Sequence, residues 1–341
     1  MTVVRTVALA VVTVVATMSE DEKVHRRRQT MSRALSSRAL GGAPALGAER
    51  FRARGRARRR RRRRARVEAR NRILFEPHEC DAEACALRRD DARAGHIRDV
   101  LRAGSGARVR VGVVNGGKYD GVVEHAEDGG MTVRLVAEEA SAEASAYDVD
   151  VLLAMPRPKV LKRLWAPLAS LGIARIVLVN ANKVERYYFD SSALDVGTIR
   201  GEILRGLEQA GDTRVPQVGV GLRLPPVVDR VSGVLSSEDP KTNGFEWLLE
   251  GQREWTMDAD VLLLAHPGQG RTSVADALAD ARGKRVLLAI GPEGGWTDYE
   301  LDLFENAGFK RVGLGSRTFT TDVACISLVS AVRERQQSWL T

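Results

Sequence analysis

Apolar residues in the C-terminal half of the chain fall into two kinds of segment. Short, branched apolar runs that predict buried parallel strands lie at 151–155, 173–179, 261–265, 285–290 and 311–314. Segments with apolar residues at helical spacing lie between or after them, at 156–171, 198–210, 297–308 and 323–335. This alternation predicts an α/β fold for residues 151–338, with helices covering a parallel sheet.

A different pattern, of short strands joined by tight turns, occupies residues 71–148. Runs at 72–76, 108–114, 119–127 and 131–138 predict strands, and glycine pairs at 116–117 and 129–130 predict hairpin turns. Within 91–102, helical spacing is shown by Ala94, Ile97, Val100 and Leu101. Short strands with one helix predict a small β-barrel, and the acidic, alanine-rich residues 137–148 predict a linker.

Charge is distributed unevenly along the 341 residues. Residues 1–72 hold 21 Lys or Arg and 5 Asp or Glu, a net charge of +16, whereas the remaining residues hold 32 and 39, a net charge of −7. The overall charge of +9 therefore comes from the leader. Because the body is mildly acidic, any contact that it makes with nucleic acid must come from local basic patches.

The leader, residues 1–70, has the composition of a targeting segment. Its apolar run at 6–18 is too short to span a bilayer, although it could be the core of a signal peptide. Residues 31–66 are rich in Arg, Ser and Ala with one acid, Glu49, as in organellar transit peptides. Seven consecutive arginines, 58–64, repel one another, so a cleaved or disordered leader is favoured over an RNA-binding arm. We expect an organellar protein, in the chloroplast rather than the mitochondrion. If the leader is not a transit peptide, we expect a cytoplasmic protein. Met1 and Met31 are both candidate translation starts.

Three cysteines are too few for a disulfide framework and fit a reducing compartment. His78, Cys80 and Cys85 match no zinc-ligand spacing and lack a fourth ligand, so we expect an exposed loop and no metal site.

Glycine-rich loops follow three of the predicted strands. Residues 290–297, Ile-Gly-Pro-Glu-Gly-Gly-Trp-Thr, connect a strand to a helix that begins with a Thr297–Glu300 capping box. Loops 265–268 and 314–322 follow two other strands. In open α/β sheets ligands bind at the carboxyl ends of strands, where glycine lets the backbone approach them closely. The sequence has no G-x-G-x-x-G after a strand and no G-x-x-x-x-G-K-[ST], so a Rossmann dinucleotide site and a P-loop for a nucleoside triphosphate are both poorly supported.

At these residues the chain resembles the RsmE-type 16S rRNA uridine-N3 methyltransferases of the SPOUT superfamily. The resemblance covers about 71–338 and rests on the order and spacing of several segments, which include 96–102, 152–159, 184–186, 214–216, 291–296 and 314–317. It implies a PUA-like RNA-binding β-barrel at 71–148, followed by a trefoil-knotted methyltransferase domain at 151–338. It also implies a homodimer, and small-subunit rRNA or the assembled small ribosomal subunit as partner. We expect no membrane association.

The resemblance further implies S-adenosylmethionine as methyl donor, bound by the three loops. The implied cofactor-binding residues are Ala265, His266, Pro267, Gly268, Ile290, Gly291, Pro292, Glu293, Gly294, Gly295, Leu314, Gly315, Thr318, Phe319 and Ala324. One departure from the family pattern concerns the third loop. A second arginine that usually follows Arg317 is replaced by Thr320, and the usual glutamate is shortened to Asp322.

Methylation of uridine N3 requires loss of the N3 proton and stabilisation of the resulting imide charge. Arg317 is the candidate for stabilising that charge. Glu293 either assists the reaction, by attracting the sulfonium or removing the proton, or caps loop amides, and Asp322 is expected as the N-cap of the last helix. Candidate RNA contacts are Arg72, Arg98, Arg102, Lys159, Lys162, Arg186 and Arg214, each of which is otherwise a solvated surface residue. Two alternatives stay open: a SPOUT methyltransferase of another RNA, and a non-catalytic RNA-binding ribosome-assembly factor.

Overall fold

A computed structural model describes residues 71–138, 149–231, 245–249, 259–268 and 270–339. The leader, and with it the predicted transit peptide, lies outside the described residues, as do residues 139–148 of the predicted linker. None of the helices in the described part of the chain has both the length and the apolar character needed to cross a membrane.

The N-terminal sheet has five strands: β1 Ile73–Phe75, β2 Ala84–Leu87, β3 Arg108–Val113, β4 Lys118–His125 and β5 Met131–Glu138. Their order is β1-β3-β4-β5-β2, with β1 parallel to β3 and the other neighbours antiparallel. Four of these strands and both glycine turns match the prediction, and β2 was not predicted. A buried core that includes Phe75, Ile97 and Val133 lies against the sheet, so this segment has its own core.

The helical segment after β2 differs from its prediction in one turn. Asp91 caps helix α1, Ala92–Gly95, by accepting a hydrogen bond from Arg93 N at 2.8 Å. The next turn, His96–Val100, is a π-helix in which Leu101 N donates to His96 O at 2.9 Å. A π turn holds more residues than an α turn, so later side chains rotate away from the expected face. Val100, which belongs to the helical spacing of apolar residues in the sequence, is therefore 67% exposed.

The cysteine count was interpreted as fitting a reducing compartment and Cys85 was expected in an exposed loop, but Cys85 is buried in β2 and two of the three cysteines are paired. Cys80 and Cys85 form a disulfide, facing each other across a turn in which Asp81 N donates to Ala84 O at 2.9 Å. The Asp81 carboxylate also accepts hydrogen bonds from two amides of this turn, which lower its pKa. Cys325 is free and buried, and burial raises its thiol pKa to about 12. It is therefore a packing residue rather than a nucleophile.

The C-terminal sheet has seven strands: β6 Val149–Ala154, β7 Arg175–Val179, β8 Gln217–Gly221, β9 Phe245–Trp247, β10 Val261–Ala265, β11 Val286–Ile290 and β12 Lys310–Val312. Their order is β12-β10-β11-β6-β7-β8-β9, and all neighbours are parallel except β8 and β9. The five predicted strands are confirmed. The sequence did not reveal β8, because glycines interrupt its apolar run where the Phe245 and Val227 side chains occupy the space above them.

Helices cover both faces of this sheet, as the α/β prediction requires. They are α2 Pro158–Ser170, α3 Val196–Ala210, α4 Leu224–Val231, α5 Val274–Ala277, α6 Asp298–Asn306 and α7 Thr321–Gln337. One core joins α2, α3 and α7 to alternate residues of β6, such as Val151 and Leu153. A second core joins α4 and α6 to the opposite residues, Leu152 and Ala154. The central strands are thus buried on both faces.

Arg72 belongs to the junction between the two sheets and not to an RNA-binding surface. Its side chain is 1% exposed and donates to Val111 O at 2.6 Å and to Gly211 O, at the end of α3, at 3.1 Å. Ion pairs of Glu76 with Arg200, at 2.6 Å, and of Lys118 with Asp212, at 2.8 Å, join the same two parts. The prediction that Arg72 contacts RNA is wrong, because its donors are directed at backbone carbonyls of this junction.

Candidate active site

A cleft of about 270 Å³ lies where the predicted ligand-binding loops meet. Strand β10 has β11 and β12 as parallel neighbours, so the chain leaves all three strands at the same edge of the sheet. The loops after them, together with the first turns of α7, form the walls. Every predicted cofactor-binding residue lines this cleft except Gly268. The carbonyl of Gly268 instead accepts a hydrogen bond from Arg271 at 2.6 Å, within its own loop.

Two glycines of the 291–295 loop are required by its local backbone geometry and packing. Gly295 has φ +69°, a left-handed conformation, and its N–H donates to Pro292 O at 2.8 Å to close a turn. A Cβ on Gly291 would lie 3.1 Å from Trp296 Nε1, so the indole packs directly against the backbone there. These two positions let the loop fold tightly over the end of β11.

Trp296 belongs to the loop motif but is not among the predicted site residues. Its side chain is 5% exposed and lines the cleft, and its Nε1 has no hydrogen-bond partner among the described residues. The surrounding walls are mostly backbone and apolar side chains, including Leu314, Phe319 and Leu328. Glycine backbone together with apolar walls fits a site for an organic ligand with both polar and apolar parts.

A second set of contacts ties this loop to the segment after β7. The predicted capping box is confirmed, with Thr297 Oγ1 accepting from Glu300 N and the Glu300 carboxylate accepting from Thr297 N at 2.8 Å. Glu300 is 3% exposed and also accepts from Asn182 N at 2.7 Å. Lys183 Nζ donates to Gly294 O at 2.9 Å. Neither Asn182 nor Lys183 was predicted to belong to the site, because no local pattern marks these contacts across more than 100 residues.

The two predicted catalytic side chains both line the cleft and are exposed. Glu293 Oε1 accepts from Arg157 N at 3.0 Å, at the residue that precedes α2, so its capping role is visible in the structure. Arg317 lies in the third loop, and within the described ranges it makes no salt bridge. Its guanidinium is therefore available to an anionic group in the cleft.

The altered segment after Arg317 is held by polar contacts. Thr320, and not Asp322 as predicted, is the N-cap residue of α7, because the helix begins at Thr321. The Asp322 carboxylate accepts from Thr320 Oγ1 at 2.6 Å and pairs with Arg163 of α2 at 2.9 Å. The hydrogen bond from Thr320 is the main reason why the pKa of Asp322 is lowered. These contacts tie the third loop to α2.

His266 is the one titratable side chain of the first loop. It is half-buried in the cleft wall, and the pKa of its imidazole is lowered by burial and, to a smaller extent, by the nearby Arg311. At neutral pH it is therefore an uncharged polar residue of the site. In the described part of the chain, no group of three or more His, Cys, Asp or Glu side chains is arranged to hold a metal ion.

The predicted RNA-contact residues are distributed over both parts of the protein. Lys159 and Lys162 are exposed on α2, and Arg186 is exposed at the start of a 3-10 turn, Arg186–Asp190. Arg98 and Arg102 are exposed near the π turn, where Arg98 pairs with Asp99 at 3.2 Å. The remaining candidate, Arg214, is half-buried. The five exposed cations among them are thus placed where a large polyanion can reach them.

Comparisons with known proteins agree with this geometry. Residues 143–333 match the sequence family described as an RNA methyltransferase domain. The ribosomal RNA small subunit methyltransferase E of Treponema pallidum (strain Nichols) is 28% identical over 270 residues, which are 79% of this chain and 92% of that protein. A similarly described protein of Borreliella burgdorferi is 22% identical over 52% of this chain and 63% of its own length.

Solved structures share the fold. A Legionella pneumophila putative methyltransferase in complex with bound SAM has a TM-score of 0.58 and 20% identity, over 77% of this chain and 97% of its own. A Neisseria gonorrhoeae ribosomal RNA small subunit methyltransferase E bound to S-adenosyl methionine has a TM-score of 0.57 and 16% identity, over the same shares. The resemblance to the RsmE type is confirmed. Because the family match spans more than half of the sequence, the chain belongs to the family of proteins that carry an RNA methyltransferase domain.

Proposed function

We propose that this protein transfers a methyl group from S-adenosylmethionine to N3 of a uridine in small-subunit rRNA. The observation that carries the proposal is the cleft at the carboxyl ends of β10, β11 and β12, with an exposed arginine, Arg317, in its wall. Relatives described as small-subunit rRNA methyltransferases support the choice of substrate. The two fold neighbours described as containing bound SAM support the choice of cofactor.

The walls of the cleft suit that cofactor. Backbone groups of loops 265–267 and 290–295 and the apolar side chains of the third loop would hold it. S-adenosylmethionine supplies an electrophilic methyl group when bound. Among the described residues, no acidic side chain other than Glu293 lines the cleft, so a cationic ligand meets one carboxylate there.

The chain itself must bind the uracil, stabilise charge on it and accept its N3 proton. Arg317 is placed to donate hydrogen bonds to the uracil carbonyl oxygens and to stabilise the imide anion as the proton leaves. Glu293 is the carboxylate of the cleft that can attract the sulfonium or accept that proton, while its contact with Arg157 N holds it in position. The reaction by this route needs no metal ion.

The remaining expectations concern organisation and place. Residues 71–148 would act as a PUA-like RNA-binding domain, and residues 151–338 would form the knotted SPOUT domain of a homodimer. Exposed Arg98 and Arg102 on the first part, and Lys159, Lys162 and Arg186 on the second, are consistent with a long RNA contact. The leader would direct the protein to an organelle, with the chloroplast ahead of the mitochondrion.

Mass-spectrometric mapping of N3-methyluridine in organellar and cytosolic small-subunit rRNA, with and without this protein, tests the proposal. Loss of one N3-methyluridine in the small subunit of one compartment is expected when the protein is absent. Purified full-length protein should restore the mark on subunits from the deficient cells when S-adenosylmethionine is added. An unchanged rRNA, or a lost mark on a different RNA, would contradict the assignment.

One observation favours a second candidate, a ribosome-assembly factor without methyl transfer. Thr320 stands where the family usually has a second arginine, and its hydroxyl is bound to Asp322. The third loop therefore has one cation in place of two. An assembly factor would bind the cofactor and the small subunit but leave N3 unmodified, whereas the enzyme would transfer the methyl group in a single-turnover assay.

A further inference from the structure

We propose that Tyr187 is a stacking platform for a nucleobase of single-stranded RNA, at the rim of the methyl-transfer cleft. This inference rests on the proposed function and adds an RNA contact that neither the motifs nor the family resemblance identified. An enzyme that modifies a base must extrude it from its stack, which leaves neighbouring bases without their partners. An exposed aromatic ring beside the cleft can replace such a partner.

The ring of Tyr187 is exposed and held in place. It is 64% exposed although it belongs to the ordered 3-10 turn Arg186–Asp190. Its ring meets the ring of Tyr188 edge to face, with centroids 4.8 Å apart, and Tyr188 packs against the main core. Most of the Tyr187 ring thus faces solvent from a fixed position, which lowers the entropy lost when a base stacks on it.

One hydrogen bond joins the segment that leads into this turn to the wall of the cleft. Lys183, one turn earlier in the chain, donates to Gly294 O in the cleft wall at 2.9 Å. Arg157, whose backbone N–H donates to Glu293 Oε1 in the cleft wall at 3.0 Å, lowers the pKa of the Tyr187 hydroxyl by its charge, while Glu185 raises it. The pKa of that hydroxyl is nevertheless raised, chiefly by its hydrogen bond with Tyr188. The ring is therefore close to the rim of the cleft and remains a neutral phenol at neutral pH.

The charges around Tyr187 suit an RNA strand. The exposed cations Arg157, Lys159, Lys183 and Arg186 outnumber the exposed acids of the same segments, Glu185 and Asp190. Sequence-tolerant binding of single strands combines such a cationic surface, which follows the phosphates, with an aromatic ring that stacks on a base. A protein partner of acidic surface would use the same cations but would not need the ring.

Tyr299 provides an internal comparison. It is 66% exposed, almost as much as Tyr187, but it lies in the first turn of α6 beside Asp298 and near Asp302. An acidic surface repels phosphate, so the same aromatic side chain has no RNA strand to bind there. Tyr299→Ala is therefore a matched control for loss of an exposed tyrosine.

The test compares full-length wild type, Tyr187→Ala, Tyr187→Phe and Tyr299→Ala. Cofactor affinity is measured by calorimetry. RNA affinity is measured by fluorescence anisotropy with a fluorescein-labelled, uridine-rich single-stranded RNA, and KM by methyl transfer to unmodified small ribosomal subunits. Salt is kept high enough to weaken non-specific binding by the Arg-rich leader, which all four proteins share.

Tyr187→Ala should weaken RNA binding and raise KM about tenfold or more, the scale of losing one stacked base, and leave cofactor affinity within about twofold. Tyr187→Phe, which keeps the ring, and Tyr299→Ala should both behave as wild type. If Tyr187→Ala matches Tyr299→Ala in both RNA measurements, or loses cofactor affinity equally, the stacking proposal is overturned. A wild type that binds RNA but transfers no methyl group would overturn the proposed function alone, and the anisotropy comparison would still decide the role of Tyr187.

Discussion

The buried carboxylate of Glu300 offers a direct test of how the cleft is held together. Glu300 accepts hydrogen bonds from Asn182 N at 2.7 Å, Thr297 N at 2.8 Å and Thr297 Oγ1 at 2.9 Å, and it is 3% exposed. It thereby fixes the start of α6 and joins the loop after β7 to the loop after β11. We predict that Glu300→Ala loosens both loops and weakens cofactor binding, although Glu300 does not line the cleft.

The magnitude follows from the hydrogen bonds that the substitution removes. A hydrogen bond to a charged group contributes about 1.5–3 kcal/mol, and loss of a helix cap costs about 1 kcal/mol. Because water can reach the partly exposed Asn182 and Thr297 amides, we expect a total loss of about 3 kcal/mol in the free energy of unfolding for Glu300→Ala. Glu300→Gln keeps the shape of the side chain, but its NH2 group must face a backbone N–H. We therefore expect the free energy of unfolding to fall by about 1–2 kcal/mol. Both losses are smaller than the stability of a typical domain.

Urea unfolding followed by circular dichroism measures the first effect, and calorimetry with S-adenosylmethionine measures the second. Asp302→Ala is the matched control, because Asp302 is an exposed acid on the same helix, and its change should stay within about 0.5 kcal/mol. We expect cofactor affinity to fall about tenfold in Glu300→Ala, since the loops must be ordered again on binding. If Glu300→Ala unfolds like Asp302→Ala, the buried hydrogen bonds do not stabilise the site as argued.

Three further outcomes follow from the site, the leader and the N-terminal domain. Arg317→Ala should lower single-turnover methylation of small-subunit rRNA about a hundredfold, the scale of losing one well-placed charge stabiliser, with little change in cofactor affinity; unchanged turnover would refute its role. Deletion of residues 1–70 should leave methyl transfer intact, and a reporter fused to them should enter an organelle rather than stay in the cytosol. Hydrogen bonds from Arg93 lower the pKa values of Glu79 and Asp91, so their stabilisation is complete above the ordinary glutamate value of 4.5 and is lost as the pH falls below it. Acid unfolding of Arg93→Gln should therefore depend less on pH in that range, and an unchanged profile would contradict this.

Most of the secondary structure was determined by the sequence itself, because it depends on patterns within a few residues. Branched apolar runs mark the central strands, and the spacing of Thr297 and Glu300 marks the start of α6. The loops that line the cleft were also predictable, because parallel strands place their carboxyl ends at one edge. By contrast, β8 went unrecognised because its glycines are explained only by side chains from β9 and α4.

Partners of charged side chains were decided by the tertiary structure alone. Arg72 has the same local signal as an RNA-binding arginine, yet its acceptor on Gly211 lies 139 residues away. The contacts of Asp322 with Arg163 and of Glu300 with Asn182 span 159 and 118 residues. A local sequence pattern records the hydrogen bonds of a helix or a turn, whereas an ion pair between distant elements forms only after the sheet has brought those elements together. The fold and the position of the cleft could therefore be predicted from the sequence. The contacts that hold the cleft in shape could not, because they join residues far apart in the chain.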